Sequence, residues 1–256
     1  QSFIKIIDML KIKNLSKHFG GLRAIKSCSF DLKPNSITAL IGPNGSGKST
    51  IFNLISGALQ ADAGQILLDS QNITRFSPED ISNAGISRLF QESKLFTSLT
   101  VQENLLLALD NQDTKFWKNL FGKNQVTLDQ TNRINYILKL LEMPEKAHQK
   151  ASNLSYGQQR LVAIARAVLN PHQLLMLDEP LSGVNLQLRN QISKLLLKLK
   201  KQSATILLIE HDMSFALRLA DQIIVLDAGE VIAIGSPKQI QSDPRVIKAY
   251  LGNELC

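Results

Sequence analysis

The amino-acid sequence predicts an α/β protein with a parallel-sheet core, an N-terminal antiparallel β subdomain and an inserted α-helical subdomain. Continuous apolar runs alternate with helical patterns in the C-terminal half, as in sheets whose two faces are covered by helices. Short strand-like runs separated by a turn open the chain, and residues 92–152 show no strong strand pattern. These three observations place the sheet-forming segments at the two ends of the chain and the helical insertion between them.

The overall composition excludes several classes of protein. The chain has 256 residues, of which 44% are hydrophobic and 20% are charged, a balance typical of one sizeable globular domain. Intrinsic disorder and fibrous structure are therefore excluded. The longest uninterrupted apolar stretches are only a few residues long, whereas a membrane-spanning helix needs about 20, so we expect no transmembrane segment.

Charge and cysteine content say less about partners. The formal net charge of +7 is compatible with nucleic acid, an anionic membrane surface or an anionic ligand. Aromatic residues are too sparse for a base-stacking platform, which argues against nucleic acid. Cys28 and Cys256 form neither a disulfide framework nor a metal-ligand spacing, and no secretory signal is visible. We therefore expect a cytosolic protein that starts at Met9, with residues 1–8 as an N-terminal extension.

The N-terminal part is expected to contain mainly strands. A turn at 19–21 separates the first two, and a continuously apolar run follows, as expected for a strand buried on both faces. The next segment is helical because its apolar residues recur at three- and four-residue spacing. The predicted elements are antiparallel strands at 10–12 and 28–32, a buried strand at 37–41, a helix at 49–59 and a strand at 65–69.

The middle and C-terminal parts combine helices with further strands. Thr100 and Glu103 have the spacing of a capping box, which predicts a helix over 101–109. The polar segment 110–132 is predicted to be a loop with an apolar anchor. The elements expected next are helices at 158–169, 187–200 and 213–219, strands at 174–178, 205–209 and 223–227, and a final strand at 231–234.

The strongest functional motif lies between a buried strand and a helix, and it consists of Gly42, Pro43, Asn44, Gly45, Ser46, Gly47, Lys48, Ser49 and Thr50. Its first eight residues match the phosphate-binding pattern G-x-x-x-x-G-K-[ST]. The glycines let backbone N–H groups point at phosphate oxygens, and the helix N-terminus adds about half a positive charge. We expect Lys48 to bridge the β- and γ-phosphates, Ser49 to supply an oxygen ligand for Mg²⁺, and Thr50 to bond the α-phosphate.

Two adjacent carboxylates, Asp178 and Glu179, follow an apolar strand. This places them at the carboxyl edge of a parallel sheet, where ligands bind. Acidic residues at a strand end can also cap the next turn. Downstream of a phosphate loop, we expect Asp178 to hold Mg²⁺ together with Ser49, and Glu179 to orient and polarise an attacking water.

Ser155, Gly157 and Gln158 precede a strong helical pattern and admit two interpretations. Ser155 and Gln158 have the spacing of a capping box, which would simply start the helix. A helix N-terminus with serine and glycine can also offer N–H groups to an anion, which would make the segment a second phosphate site.

The segment Leu154-Ser155-Tyr156-Gly157-Gln158 resembles the LSGGQ-type signature of ATP-binding-cassette (ABC) ATPases, and it lies between the two Walker motifs as in that family. The resemblance covers residues 9–252. It implies a P-loop NTPase (RecA-like) fold in a single domain. The nucleotide-binding core would comprise 9–91 and 160–252, and the helical signature subdomain would comprise 92–159.

The family pattern implies roles for further residues. Phe19 resembles the aromatic residue that stacks on adenine, and His211 resembles the switch histidine that contacts the γ-phosphate. Gln91 resembles the glutamine that reaches Mg²⁺ and the water and senses the transmembrane partner. Ser155, Gly157 and Gln158 would bind, in trans, the nucleotide held by a second subunit. The implied catalytic residues are Glu179, His211 and Gln91, and the implied metal ligands are Ser49, Gln91 and Asp178.

Within the family, the chain is similar to ATP-binding subunits of branched-chain (hydrophobic) amino-acid importers. The similarity rests on Asn185, where many members have aspartate, on Glu210-His211-Asp212-Met213, on the insert 110–132 and on the ending 247–252. It implies an ATP-hydrolysing motor with ATP and Mg²⁺ as cofactors, whose dimer closure is coupled to two permease subunits. It also implies a second ATPase subunit, an extracytoplasmic solute-binding protein, no nucleic-acid partner, and a peripheral position on the cytoplasmic face of the inner membrane.

Several alternatives stay open on the sequence alone. Urea or amide importers and lipopolysaccharide-export ATPases share the fold and many of the residues in these motifs. A soluble ABC ATPase that acts on nucleic acid or ribosomes usually carries two cassettes or a coiled-coil insert. A P-loop kinase or GTPase has no use for the signature at 154–158, and a GTPase needs an Asn-Lys-x-Asp segment that this sequence lacks.

Overall fold

The computed structural model describes residues 9–89, 95–109 and 126–251. The chain divides into two compact units, of which the first comprises 1–86, 173–179 and 199–256 and the second comprises 87–172 and 180–198. The second unit extends beyond the segment 92–159 expected to form the helical subdomain, because it also takes in the helix that follows Ser155. The expected N-terminal extension, 1–8, lies outside the described residues.

The described residues form ten strands in chain order. They are β1 Leu10–Phe19, β2 Leu22–Leu32, β3 Ile37–Ile41, β4 Ala63–Leu68, β5 Gln71–Asn72, β6 Ile86–Leu89, β7 Leu174–Asp178, β8 Thr205–Ile209, β9 Gln222–Asp227 and β10 Glu230–Gly235. The strands predicted from apolar runs are all present, and most of them extend further than predicted.

The same part of the chain contains nine α-helices and two short 3₁₀ helices. The α-helices are α1 Lys48–Ile55, α2 Pro78–Asn83, α3 Val101–Leu109, α4 Leu128–Leu140, α5 Tyr156–Leu169, α6 Leu186–Lys201, α7 Met213–Leu219, α8 Pro237–Gln241 and α9 Pro244–Leu251. The 3₁₀ helices are Pro144–Lys146 and Ala151–Asn153. None of these described helices combines the length and apolar character that crossing a membrane requires.

A four-stranded antiparallel sheet in the order β2-β1-β4-β5 belongs to the first unit. Leu10 lies opposite Leu32 and Phe19 lies opposite Leu22, so β1 and β2 form a hairpin that turns at Gly20 and Gly21. The predicted N-terminal antiparallel subdomain is therefore confirmed.

In the larger sheet, the strands of the first unit lie in the order β10-β9-β3-β8-β7. Strands β9, β3, β8 and β7 run parallel, and β10 pairs with β9 as an antiparallel hairpin. Every residue of β3, β7 and β8 is buried, which is why these strands are continuously apolar in the sequence. Because parallel strands end at the same edge, the segments that follow β3, β7 and β8 lie together.

Helices of the first unit differ from prediction in extent and number. The helix predicted at 49–59 begins one residue earlier and ends at Ile55, because Gly57 adopts a positive φ of 73°. Helix α2 was not predicted, although a capping box formed by Ser77 and Asp80 marks its start. Helices α8 and α9 were also not predicted.

Capping boxes mark two helices of the second unit. The predicted box at Thr100 is confirmed, since the Thr100 hydroxyl accepts from the Glu103 N–H at 3.2 Å and α3 follows it. The loop predicted over 110–132 is wrong at its end, because α4 begins at Leu128 behind a second box formed by Thr127 and Gln130. Residues 110–125 lie outside the described part of the chain.

Phe52 in α1 anchors the first unit's core, and its side chain is fully buried among apolar neighbours. We expect Phe52→Ala to lower the free energy of unfolding by about 3–5 kcal/mol, because it removes buried surface and leaves a cavity. Urea denaturation of the full chain measures this change. Ile234→Ala, at a residue that is 44% exposed in β10, is the matched control and should cost less than about 1 kcal/mol. Equal costs for the two substitutions would contradict this account of the core.

Candidate nucleotide-binding site

The phosphate-binding loop connects β3 to α1 and depends on three glycines. Gly42, Gly45 and Gly47 have φ values of 153°, 77° and 106°, which L-residues with side chains rarely adopt. A Cβ atom at Gly42 would lie 2.0 Å from the carbonyl oxygen of Leu226, the penultimate residue of β9. The loop therefore packs directly on a neighbouring strand, and only glycine permits this approach.

Lys48 is the first residue of α1 and is only 5% exposed. Its Nζ donates hydrogen bonds to the carbonyl oxygens of Gly42 at 2.9 Å and Pro43 at 2.8 Å. Burial lowers the pKa of Lys48, while the nearby carboxylates of Glu179 and Asp178 act in the opposite direction. The residue before α1 provides no side-chain hydrogen bond to the helix N-terminus. A buried cation beside an uncapped helix N-terminus is a strong anion-binding arrangement.

A cleft of about 870 Å³ opens beside this loop, within the size range of cofactor sites. The predicted site residues that line it are Phe19, Asn44, Gly45, Gly47, Lys48, Ser49, Thr50, Glu179 and His211. Gly42, Pro43 and Ser46 belong to the same loop but are not among the lining residues. The structure thus brings most of the predicted nucleotide-binding residues of the first unit around one cavity.

Glu179 and His211 meet in this cleft because β7 and β8 are neighbouring parallel strands. Asp178 is in register with Ile209, and the Glu179 N–H donates to the Ile209 carbonyl at 3.1 Å. The His211 Nε2 and the Glu179 Oε1 are hydrogen-bonded at 2.5 Å. Glu179 also has a φ of 47°, a strained conformation that residues at functional sites adopt more often than others. Strand order therefore places the two side chains together, although they are 32 residues apart in the sequence.

Asp178, the last residue of β7, is 4% exposed and does not line the cleft, whereas Ser49 does. Among the described residues, no group of three or more His, Cys, Asp or Glu side chains is arranged to hold a metal ion. Hydroxyl and carboxylate oxygens are ligands that Mg²⁺ accepts, and this ion usually takes its other ligands from phosphate and water. The donor types of Ser49 and Asp178 therefore fit a Mg²⁺ ion that binds together with phosphate.

The hairpin turn between β1 and β2 also lines the cleft. Phe19 is 46% exposed there, so its ring is accessible to a ligand. Leu22 and Arg23 also line the cleft, and the sequence did not identify them. They were missed because only 28–32 was predicted as a strand, whereas β2 begins at Leu22.

Ser155, Gly157 and Gln158 lie at the start of α5 in the second unit. The Gln158 N–H donates to Ser155 Oγ at 3.3 Å, and the Ser155 N–H donates to Gln158 Oε1 at 3.0 Å. This reciprocal pair confirms the interpretation as a helix start, and the anion-binding interpretation stays a prediction. A Cβ atom on Gly157 would lie 2.2 Å from Leu188 Cδ1, so glycine permits close packing of α5 and α6.

Asn185 caps helix α6 by accepting a hydrogen bond from the Leu188 N–H at 3.0 Å. Asparagine and aspartate are about equally favourable at an N-cap, so the departure from the family's common aspartate preserves the helix start. The remaining predicted site residue, Gln91, lies outside the described part of the chain.

Tyr250 in α9 is a further residue at the phosphate loop that the sequence did not identify as part of the site. Burial raises the pKa of Tyr250 to about 12, and a hydrogen bond with the backbone of Gly42 partly opposes this shift. The C-terminal helix therefore contacts the first residue of the loop. The signal that could have found it is the spacing of Val246 and Tyr250, which places them on one face of a helix.

Comparison with known proteins identifies the family of this chain. A family profile described as ABC transporter matches residues 25–182, and a profile described as branched-chain amino acid ATP-binding cassette transporter matches residues 230–255. The chain is 38% identical over 249 residues to the high-affinity branched-chain amino acid transport ATP-binding protein LivG of Escherichia coli, which covers 95% of this chain and 98% of that protein. It is 37% identical, with the same coverage, to the corresponding protein BraF of Pseudomonas aeruginosa.

Solved structures agree in fold. An ATP-binding cassette of an ABC transporter in its ADP conformation has a TM-score of 0.83 and 32% identity, covering 96% of this chain and 99% of that chain. A dimeric cassette in a post-hydrolysis state, bound to ADP and Pi, has a TM-score of 0.73 and 28% identity, covering 90% and 99%. The predicted fold class is therefore confirmed. Since the sequence profile, the relatives and the fold agree, the chain belongs to the ABC transporter family as one of its ATP-binding cassettes.

Proposed function

We propose that this chain binds ATP with Mg²⁺ in the cleft and hydrolyses it as the motor of an importer for branched-chain or hydrophobic amino acids. The observation that carries the chemistry is the meeting of Lys48, Glu179 and His211 around one cavity. This arrangement combines a site for phosphate with a carboxylate and an imidazole next to it, which are the groups that water attack on a phosphoryl group requires.

Phosphate binding begins at Lys48. Its ammonium already points along the loop, toward the carbonyl oxygens of Gly42 and Pro43. On binding, it would bridge the β- and γ-phosphates, while Thr50 would bond the α-phosphate. Phosphate oxygens would replace the neutral carbonyl acceptors with anionic ones, so that the donor and the acceptor of each hydrogen bond would both be charged.

Glu179 would polarise the attacking water, and His211 would hold the γ-phosphate in line. The water oxygen bonds to the γ-phosphorus while the bond from that phosphorus to the β–γ bridging oxygen breaks, giving ADP and phosphate. The Glu179–His211 hydrogen bond orients both side chains before the reaction, so less reorganisation is needed in the transition state.

Mg²⁺ would be held by Ser49, Asp178 and Gln91 together with phosphate oxygens. Bound there, it neutralises charge that develops on the phosphates. The buried carboxylate of Asp178 and the hydroxyl of Ser49 support this assignment through their chemistry.

Dimerisation would complete the site. A related cassette is dimeric in its post-hydrolysis state, which supports a second ATPase subunit as partner of this chain. Ser155, Gly157 and Gln158 of each subunit would then contact the nucleotide held by the other. ATP would hold the dimer closed, and hydrolysis would reopen it because ADP and phosphate repel each other.

The names of the relatives and the C-terminal profile support amino acids as the transported solute. Two permease subunits would carry the pathway across the membrane, and an extracytoplasmic solute-binding protein would deliver the amino acid. The chain would lie peripherally on the cytoplasmic face of the inner membrane, through contact with the permeases.

Co-purification from gently solubilised membranes, followed by reconstitution, tests this function. We expect two permeases to accompany the tagged chain, and ATP turnover to rise when leucine, isoleucine or valine is supplied with the solute-binding protein. Recovery with ribosomes or nucleic acid instead of permeases would overturn the proposal. Stimulation by urea or short amides alone would show that the transported solute is one of these compounds. The proposed role as the ATPase motor of a transporter would then be retained.

Replacement of Glu179 by glutamine tests the hydrolytic role. Glu179→Gln should lower ATP turnover by about 10²- to 10⁴-fold, because the amide cannot polarise water as a carboxylate does. ATP binding should persist, and the variant should elute as a dimer on gel filtration when ATP is present. Glu79→Gln, in the first turn of α2, removes an acid outside the cleft and is the control. Undiminished turnover in Glu179→Gln would reject the role of Glu179.

Replacement of Lys48 by alanine tests the phosphate contact. Lys48→Ala should weaken ATP binding by roughly 100-fold or more, because charge-assisted hydrogen bonds to the phosphates are lost. Equilibrium titration with ATP and Mg²⁺ measures the effect. Lys13→Ala removes an exposed ammonium from β1 and should leave the affinity unchanged. Equal affinities of Lys48→Ala and the wild type would exclude Lys48 from the phosphate site.

A further inference from the structure

The carboxylate of Asp62 joins the segment after α1 to the end of β1. Its Oδ1 accepts a hydrogen bond from Lys17 Nζ at 2.8 Å, and its Oδ2 accepts from the His18 backbone N–H at 2.6 Å. The His18 Nδ1 lies 3.2 Å from the same Oδ2. The backbone N–H of Asp62 donates to the Ser16 carbonyl at 3.0 Å. One residue thus engages three successive residues of β1.

These contacts replace strand pairing where it ends. The ladder between β1 and β4 stops at the pair of Ser16 with Ala63. On the other side of β1, the register with β2 shifts between Lys17 and His18. At this irregularity the Asp62 carboxylate accepts a hydrogen bond from the His18 N–H, as the carbonyl oxygen of a neighbouring strand would. Asp62 therefore stabilises the last residues of β1.

The ionised form of Asp62 is strongly favoured. Hydrogen bonds from the Lys17 ammonium and, next, the His18 backbone N–H lower the pKa of Asp62 to about 2. The carboxylate is therefore ionised at neutral pH, where it pairs with the Lys17 ammonium.

Lys17 in turn faces Phe19. Its Nζ lies 5.6 Å from the centroid of the Phe19 ring, within the range of a cation–π contact. Only 15% of the Lys17 side chain is exposed, so the ammonium is confined between Asp62 and the ring. Phe19 lines the cleft, whereas neither Lys17 nor Asp62 is among the residues that line it. The ring is thus supported from outside the cavity.

We propose that Asp62 is a positioning residue that, through Lys17, fixes the Phe19 ring for stacking on the purine base of the nucleotide. The inference rests on the proposed function, because Phe19 is taken as the residue that stacks on the base. With Lys17 on one face of the ring, the other face is left for the base. An immobilised ring loses less conformational freedom when the base binds, so affinity depends on residues that do not touch the ligand.

Titration calorimetry of the full chain with two ligands tests this. ATP carries the base, whereas inorganic tripolyphosphate presents phosphates alone. Asp62→Ala and Lys17→Met should each weaken binding of ATP with Mg²⁺ by about three- to tenfold. Binding of tripolyphosphate should stay within about twofold of the wild type, because the phosphate loop is untouched. Lys17→Arg keeps the cation over the ring and should restore most of the ATP affinity.

Asp31→Ala is the matched control. It removes an ion pair between β1 and β2, Lys11 with Asp31 at 3.2 Å, and neither of these residues lines the cleft. This variant should leave binding of both ligands unchanged. Should Asp62→Ala fold poorly, Asp62→Asn preserves the shape and removes the charge, and it should weaken ATP binding selectively.

The outcomes separate this inference from the proposed function. Phe19→Ala should weaken ATP binding but not tripolyphosphate binding; unchanged ATP binding would reject base stacking itself. If Phe19→Ala weakens ATP binding and Asp62→Ala and Lys17→Met do not, the positioning role of Asp62 is rejected and base stacking on Phe19 is retained. Equal losses for ATP and tripolyphosphate would also reject it, since they indicate a general structural effect. Adding Lys17→Met to Phe19→Ala should weaken ATP binding no further.

Discussion

The arrangement on which the site depends is a buried ammonium beside a helix N-terminus. Lys48 is almost inaccessible, and its hydrogen bonds go to two carbonyl oxygens of its own loop. A buried cation and the positive end of a helix dipole repel each other, so their closeness opposes folding unless negative charge is nearby. Glu179 and Asp178 supply some of that charge. Phosphate would supply more, and the loop is therefore best satisfied when a nucleotide occupies the cleft.

Sheet topology explains why the remaining groups surround this ammonium. Parallel pairing of β3, β7 and β8 brings three strand ends to one edge, so the phosphate loop, Glu179 and His211 become neighbours. The antiparallel sheet contributes further lining of the cleft through the turn at Phe19. Asp62, which follows α1, links the end of β1 to the segment that begins at the phosphate loop. The residues proposed to contact the phosphates and the residue proposed to contact the base therefore all belong to the first unit.

Much of this could be predicted from the sequence, for physical reasons that differ among elements. Strands buried on both faces must be apolar throughout, so β3, β7 and β8 were recognisable, and the phosphate loop has a fixed residue pattern. Helix α4 was missed because its polar first turn resembles a loop, although Thr127 and Gln130 encode its cap. Asp62 escaped notice because its role depends on tertiary contacts, which no local pattern encodes. The spacing of Val246 and Tyr250 indicates a helix face, but the contact of Tyr250 with Gly42 is also tertiary. The positive φ of Glu179 was equally invisible, since it is imposed on a residue that does not favour it.

We infer that phosphate charge, drawn to Lys48 and the helix N-terminus, dominates nucleotide binding. Equilibrium titration of the wild-type chain with AMP, ADP and ATP in the presence of Mg²⁺ tests it most directly, because the base and ribose stay constant through the series. We expect ADP and ATP to bind at least about 100-fold more tightly than AMP, since only they reach Lys48 with β- or γ-phosphates. AMP binding as tightly as ATP would contradict this inference, and it would indicate that contacts with the base at Phe19 supply most of the binding free energy.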